Sequence, residues 1–262
     1  MILVAGGTGR LGTDVVRGLL SRGERVRVLT RAAPRADELA ARGAEVVIGD
    51  VREPQTLAPA MIGTHVVVSA VHGFVGSGGV TPQNVDRDGN RNLIRAAREL
   101  GTDVILLSVV GAAPDHPMEL LRMKAAAEQA LGNSGLRHTI VRATAFIELW
   151  QELLRKGPRP VIFGSGNNPI NFVSVATVAN AVITATTDPT LRGQVLDVVG
   201  PEDVTLNELA AQARPGSRPL HVHPSVLRLL AHAAPAAVRR QSAAALVMDT
   251  HDMRAAQGSA TI

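Results

Sequence analysis

The 262-residue sequence contains no cysteine and no tyrosine, and its aromatic residues are four phenylalanines and one tryptophan. Without cysteine there are no disulfides, no thiolate nucleophile and no cysteine-ligated zinc, although the redox compartment stays open. Without tyrosine, no phenol can serve as a catalytic acid. Phe74, Phe146, Trp150, Phe163 and Phe172 are too few for a base-stacking platform. The cations behind the net charge of +4 are scattered along the chain, so nucleic acid is not an expected partner. No metal-ligand spacing is present. The sequence has no run of about 18 apolar residues and no basic stretch leading into a signal segment, so the expectation is a soluble, cytoplasmic protein without a membrane partner.

What is present begins at once. An apolar run at residues 2–5 breaks into Gly6-Gly7-Thr8-Gly9-Arg10-Leu11-Gly12, and an amphipathic stretch through Leu20 follows. A buried strand entering a glycine turn lets a ligand approach main-chain N–H groups, and the helix behind it directs its positive end at a pyrophosphate. A second β-rich run at 25–29 ends in Thr30-Arg31, which places Arg31 19 residues after Gly12, where a dinucleotide fold keeps its ribose-recognising residue. That residue is basic. A guanidinium offers forked donors to a 2′-phosphate, whereas a carboxylate would bind a free 2′-hydroxyl, so NADP(H) is the expected cofactor.

Further apolar runs at 45–50, 65–69, 104–108 and 138–142 alternate with helical patterns at 35–42, 54–61, 85–100 and 118–131. Continuous Val/Ile/Leu strands separated by helices predict an α/β fold with a doubly wound parallel sheet of Rossmann type. Thr8, Arg31, Asp50, Ser69, Ser108 and Arg142 or Thr144 then fall at the strands' carboxyl ends, where ligands bind in such sheets. Past residue 146 the pattern loosens: a Gly/Pro/Asn-rich stretch surrounds Val161-Ile-Phe163, and another helix and strand follow at 176–186 and 195–199. Thr205 and Glu208 form a capping box, and 224–253 reads as helical with a break near Pro235. Residues 1–150 are expected to form the NADP-binding core, and 151–262 a small C-terminal α/β cap interleaved with it as one structural unit. The run 74–79 is read as a mobile lid.

These residues resemble the NmrA-like group of atypical short-chain dehydrogenase/reductases. The likeness rests on Gly6 to Gly12, Gly49-Asp50-Val51, Ser69-Ala70-Val71, Lys124 with Glu128, the run 134–142, Asn171-Phe-Val-Ser-Val175 and Gly200-Pro-Glu202. It implies that Gly6, Thr8, Gly9, Arg10 and Leu11, with Gly12, hold the pyrophosphate, while Arg31 holds the 2′-phosphate. By the same resemblance Asp50 and Val51 flank the adenine, and Ser69, Ala70 and Val71 line the ribose and pyrophosphate. Lys124 then meets the nicotinamide ribose, and Thr144, Ala145 and Phe146 pass beside the nicotinamide. Lys124 and Ser108 are the catalytic candidates. The expected substrate wall comprises His72, Phe74, Phe146, Trp150 and Phe163.

One part of the usual machinery is missing. Short-chain dehydrogenases place a tyrosine four residues before the lysine, and that position here is Leu120. Reducing a simple ketone generates an alkoxide whose conjugate acid has a pKa of about 16, like water, whereas reducing a quinone generates a phenolate nearer ~10. The gap is worth roughly 8 kcal/mol of charge stabilisation that no tyrosine then has to supply. The expectation is therefore an NADPH-dependent oxidoreductase acting on a small quinone-like or other conjugated acceptor, with Lys124, His116 or water returning the proton. The alternative is a non-catalytic NADP(H)-binding redox sensor that signals to a protein partner. A nucleotide-sugar epimerase is disfavoured by the same missing tyrosine.

Overall fold

Ile2, Leu3, Val4 and Ala5 are all buried, and their side chains alternate between two separate cores, as only an interior strand permits. The computed structural model describes residues 1–74 and 79–254. The first half of the chain runs β1 (Ile2–Ala5), α1 (Arg10–Ser21), β2 (Val26–Thr30), α2 (Asp37–Ala41), β3 (Glu45–Ile48), α3 (Leu57–Met61) and β4 (Val66–Ser69). It continues with α4 (Asp88–Leu100), β5 (Asp103–Val109), α5 (Glu119–Gly132) and β6 (His138–Ala143). Then come β7 (Ala145–Phe146), α6 (Ile147–Arg155), β8 (Val161–Phe163), β9 (Ile170–Val173), α7 (Val175–Thr187) and β10 (Val195–Val198). The last elements among the described residues are β11 (Asp203–Val204), α8 (Leu206–Ala213), β12 (Leu220–Val222), α9 (Pro224–Ala233) and α10 (Ala236–Thr250).

Seven strands form one parallel sheet in the order β10-β6-β5-β4-β1-β2-β3. The chain builds outward from β1 through β2 to β3, then returns to the other side of β1 with β4, so the order reverses between β1 and β4. A crevice opens at that reversal, at the carboxyl ends of the strands. On one face, Val15, Val16 and Leu19 of α1 and Val178 and Val182 of α7 pack on Val4, Val28 and Val68. On the other, Met61 of α3, Leu93 of α4 and Leu131 of α5 pack on Leu3, Val67 and Leu106. Both α7 and β10 come from beyond residue 150, so the C-terminal third contributes an edge strand and a covering helix to the sheet itself.

The remaining elements form a smaller layer. A three-stranded sheet, β11-β9-β7, and a parallel pair, β12-β8, enclose a third core of Leu154, Ile162, Ile170, Phe172 and Leu209. The capping box at Thr205 and Glu208 forms as the sequence predicts, and α9 and α10 are separated at Pro235. One local departure matters for the site. The helical pattern at 85–100 predicts a uniform helix, but the backbone enters it through a π-helical turn, Pro82–Arg87, capped by Thr81 and Asn84. Among the described residues, no helix is long and apolar enough to cross a membrane, and no group of three His, Asp or Glu side chains is placed to hold a metal. Residues 75–78 of the expected lid lie outside the described residues.

Candidate functional site

The glycine turn is built by close approach. Gly6 has φ +83° and lies so near β4 that an added Cβ would stand 2.6 Å from Ala70 O. A Cβ on Gly12 would meet Gly6 O at 2.1 Å, so the first turn of α1 can press on the loop only without a side chain there. Gly9, the N-cap, offers no side-chain oxygen to the first N–H groups of α1. An uncapped helix start in a glycine cradle is the donor set an anionic pyrophosphate requires.

A cleft of about 250 Å³ opens from this turn. Of the predicted residues, it gathers Gly6, Thr8, Gly9, Arg31, Asp50, Val51, Ala70, Val71 and His72. Arg35 and Arg52 line it too, so three guanidinium groups border its β2–β3 end. Arg52 closes on Asp50 with Nη2 2.6 Å from Oδ2, while its own N–H donates to Oδ1 at 2.9 Å. Burial works to raise the Asp50 pKa, but the bonds to Arg52 and the charges of Arg52 and Arg31 outweigh it and hold the carboxyl below its usual range. His72 is open to the cleft yet ringed by protein. Desolvation, helped by the Lys124 charge and opposed by Asp86, keeps its imidazole below the ordinary histidine range.

Other predicted residues do not line the cleft. Leu11 is a core residue of α1, and Arg10 is engaged in an ion pair with Glu152 of α6. Ser69 is buried and donates to Asn90 Oδ1 at 2.5 Å, and Asn90 Nδ2 donates to Asp86 O at 2.7 Å. Lys124 is not an exposed helix lysine: it is 3% exposed, with Nζ 3.0 Å from the carbonyls of both Val71 and Leu107 and 2.9 Å from Asp86 Oδ1. The Asp86 contact is an ion pair rather than an aligned hydrogen bond, and its other oxygen accepts the Gly73 N–H at 2.7 Å. Two hydrogen bonds to carbonyls and the ion pair with Asp86 thus engage the ammonium, and a ribose hydroxyl would compete with these contacts for Nζ. Ser108 is 1% exposed and its hydroxyl has no hydrogen-bond partner among the described residues.

A second, smaller cavity of about 70 Å³ includes Thr144 and Ala145. His116, one of the proton sources considered from sequence, is half-buried and lines this cavity. Its Nδ1 accepts the Met118 N–H at 3.0 Å, which leaves the proton of the neutral ring on Nε2. Desolvation, then the neighbouring His251, lowers its pKa.

The expected aromatic wall is dispersed. Phe163 is 46% exposed on the outward side of β8, because Ile162 takes the inward position. Trp150 packs edge-on to Phe172, ring centres 6.3 Å apart, in the third core. Phe74 joins Met118 and Leu121, and Phe146 packs on the α7 side of the main sheet. None of these four lines either cavity. Sequence reading missed Arg52, Asp86 and Asn90. Asp86 and Asn90 share a helical stripe with Leu93 and Ala97, and polar residues on an apolar stripe were the available signal.

Comparison with known proteins agrees with this geometry. A family model described as NAD(P)H-binding matches residues 6–189. An NAD(P)H azoreductase of Xenophilus azovorans is 34% identical over 217 residues, covering 80% of this chain and 72% of its own. The photosystem II assembly factor Ycf39 of Synechocystis sp. is 29% identical over 206 residues, covering 76% of this chain and 62% of its own. Among solved structures, an NADPH-dependent quinone oxidoreductase of Escherichia coli, complexed with NADPH, is alike in fold, with a TM-score of 0.80 at 21% identity over 99% of this chain and 93% of that one. With its glycine cradle and strand-end cleft, the chain belongs to the NAD(P)H-binding family, among the NmrA-like atypical short-chain dehydrogenase/reductases.

Proposed function

We propose that the protein is an NADPH-dependent reductase of quinone-like or other conjugated acceptors. The observation that carries this reading is the state of Lys124: its ammonium is enclosed by Asp86, Val71 O and Leu107 O, and the chain has no tyrosine for it to activate. A site without a strong proton donor suits an acceptor that delocalises the incoming charge itself. The azoreductase relative points the same way, since an azo group is a conjugated acceptor.

The residues fit the coenzyme. The Gly6–Gly9 turn and the start of α1 would hold the pyrophosphate, Arg31 and Arg35 the 2′-phosphate, and Val51 with the Asp50–Arg52 pair the adenine end. When bound, the reduced coenzyme supplies a hydride. Lys124 serves as a positioning residue, fixing the carbonyl ends of β4 and β5 on either side of its Nζ. The Nε2–H tautomer of His116 provides a neutral donor in the smaller cavity, and water returns the proton.

Following oxidation of NADPH against a panel of quinones and aliphatic ketones tests the proposal. Turnover is expected with the quinones and not with the ketones. The relation to an assembly factor favours a second reading, in which the chain binds NADP(H) and reports its state to a protein partner. Tight coenzyme binding with no oxidation by any acceptor would select that reading.

A further inference from the structure

The smaller cavity has walls from distant parts of the chain. Val109, Val110 and Gly111 lie at the end of β5, Thr144 and Ala145 follow β6, and opposite them stand Asp252, Met253 and Arg254. That last segment is tied down at three places.

The first tie is Asp249, near the end of α10. Its Oδ1 accepts the Ser165 N–H at 2.8 Å, the Ser165 hydroxyl at 2.8 Å and the Gly166 N–H at 3.0 Å. Two successive backbone N–H groups converging on one oxygen form an anion nest. Gly164 enters that nest with φ +97°, and a Cβ there would stand 2.3 Å from the Asp249 carboxyl carbon, so the seat exists only for glycine. The second tie is Asn168, whose Nδ2 donates to the carbonyls of Met248 at 2.6 Å and His251 at 2.7 Å. The third is β9: the Asn171 N–H donates to Met253 O at 3.0 Å, and Ile170 and Met253 form a parallel bridge. The Asn171 side chain in turn accepts the Thr144 hydroxyl at 2.9 Å, so the segment is coupled to a residue of the cavity wall.

We infer that residues 249–254 are a latched strap forming the acceptor-side wall of the site, with Met253 setting the width of acceptor admitted. The inference rests on the acceptor reading given above. An apolar cavity that takes up benzene measures about 150 Å³. At about 70 Å³, this one accepts only the edge of a single ring while the strap is latched. The class selected is therefore a small monocyclic quinone rather than a fused bicyclic one. Loosening the latch or shortening Met253 widens the choice.

Calorimetric binding of 1,4-benzoquinone and of 2-methyl-1,4-naphthoquinone to the NADP+-loaded protein tests this, and the absence of cysteine removes thiol arylation as a complication. Relative to wild type, Met253→Ala and Asp249→Asn should each shift the affinity ratio at least 10-fold toward the naphthoquinone. Met253→Trp should weaken both quinones at least 10-fold, and all three variants should bind NADP+ within 2-fold of wild type. If wild type binds benzoquinone and the ratio stays unchanged in Met253→Ala, with binding retained in Met253→Trp, the strap inference is overturned alone. If coenzyme-loaded wild type binds neither quinone, the acceptor reading falls and the strap's role falls with it.

Discussion

Asp86 and Lys124 form an ion pair sealed inside the protein, Oδ1 to Nζ 2.9 Å, the carboxylate fully buried and the ammonium nearly so. The pair joins the π-helical turn before α4 to the middle of α5, beneath the carboxyl ends of β4 and β5. Removing one partner leaves a buried charge uncompensated, which costs about 3–5 kcal/mol. Lys124→Met should therefore lower stability by that order in urea denaturation, and the double variant Lys124→Met/Asp86→Leu should recover much of the loss. Additive losses would mean that the two residues do not act as a pair.

Arg31 should determine coenzyme choice. Losing a charged hydrogen bond costs roughly 1.5–3 kcal/mol, or about 10- to 150-fold in affinity. Arg31→Ala is expected to weaken NADPH by that factor in a calorimetric titration and to leave NADH nearly unchanged. An equal loss for both coenzymes would place the 2′-phosphate elsewhere.

Gly12→Ala should act through sterics. The new Cβ would stand 2.1 Å from Gly6 O and 2.7 Å from Gly7 Cα, both backbone atoms that cannot swing aside. Overpacking of this kind costs about 1–3 kcal/mol. The expected result is a lower melting temperature together with loss of coenzyme binding, whereas Gly132→Ala, which meets nothing within 4 Å, should leave both intact.

The two cavity histidines predict an acid-side loss of stability. Burial is the largest cause lowering the pKa of both His72 and His116. The unfolded chain, with histidines near about 6.5, therefore takes up protons first as pH falls. Stability is intact above that value and declines as pH drops toward the folded pKa values. Melting curves from neutral pH down to the onset of carboxylate titration should show the decline, and His72→Asn/His116→Asn should flatten it.

The seven strands of the main sheet were legible because each is a run of branched aliphatics between helical patterns. β7 and β11, with two residues each, and β12, with three, are too short to carry a periodicity. In the cleft, the glycine turn and Arg31 follow from spacing along the chain alone. Trp150 and Phe163 were misplaced because residue type says nothing of which side of an element faces a cavity. Asp249 in its nest with Ser165 and Gly166 was illegible for another reason: the partners lie more than eighty positions apart and bear no shared pattern.

The order in which the chain leaves the ribosome gives the placement of α7 and β10 a further meaning. One side of the nucleotide-binding sheet is covered only by α1 until α7 has emerged, and β6 keeps an open edge until β10 arrives at residues 195–198. Aliphatic surface and a strand edge thus stay exposed until residue 198 has been made, the kind of surface that makes a nascent chain prone to aggregation.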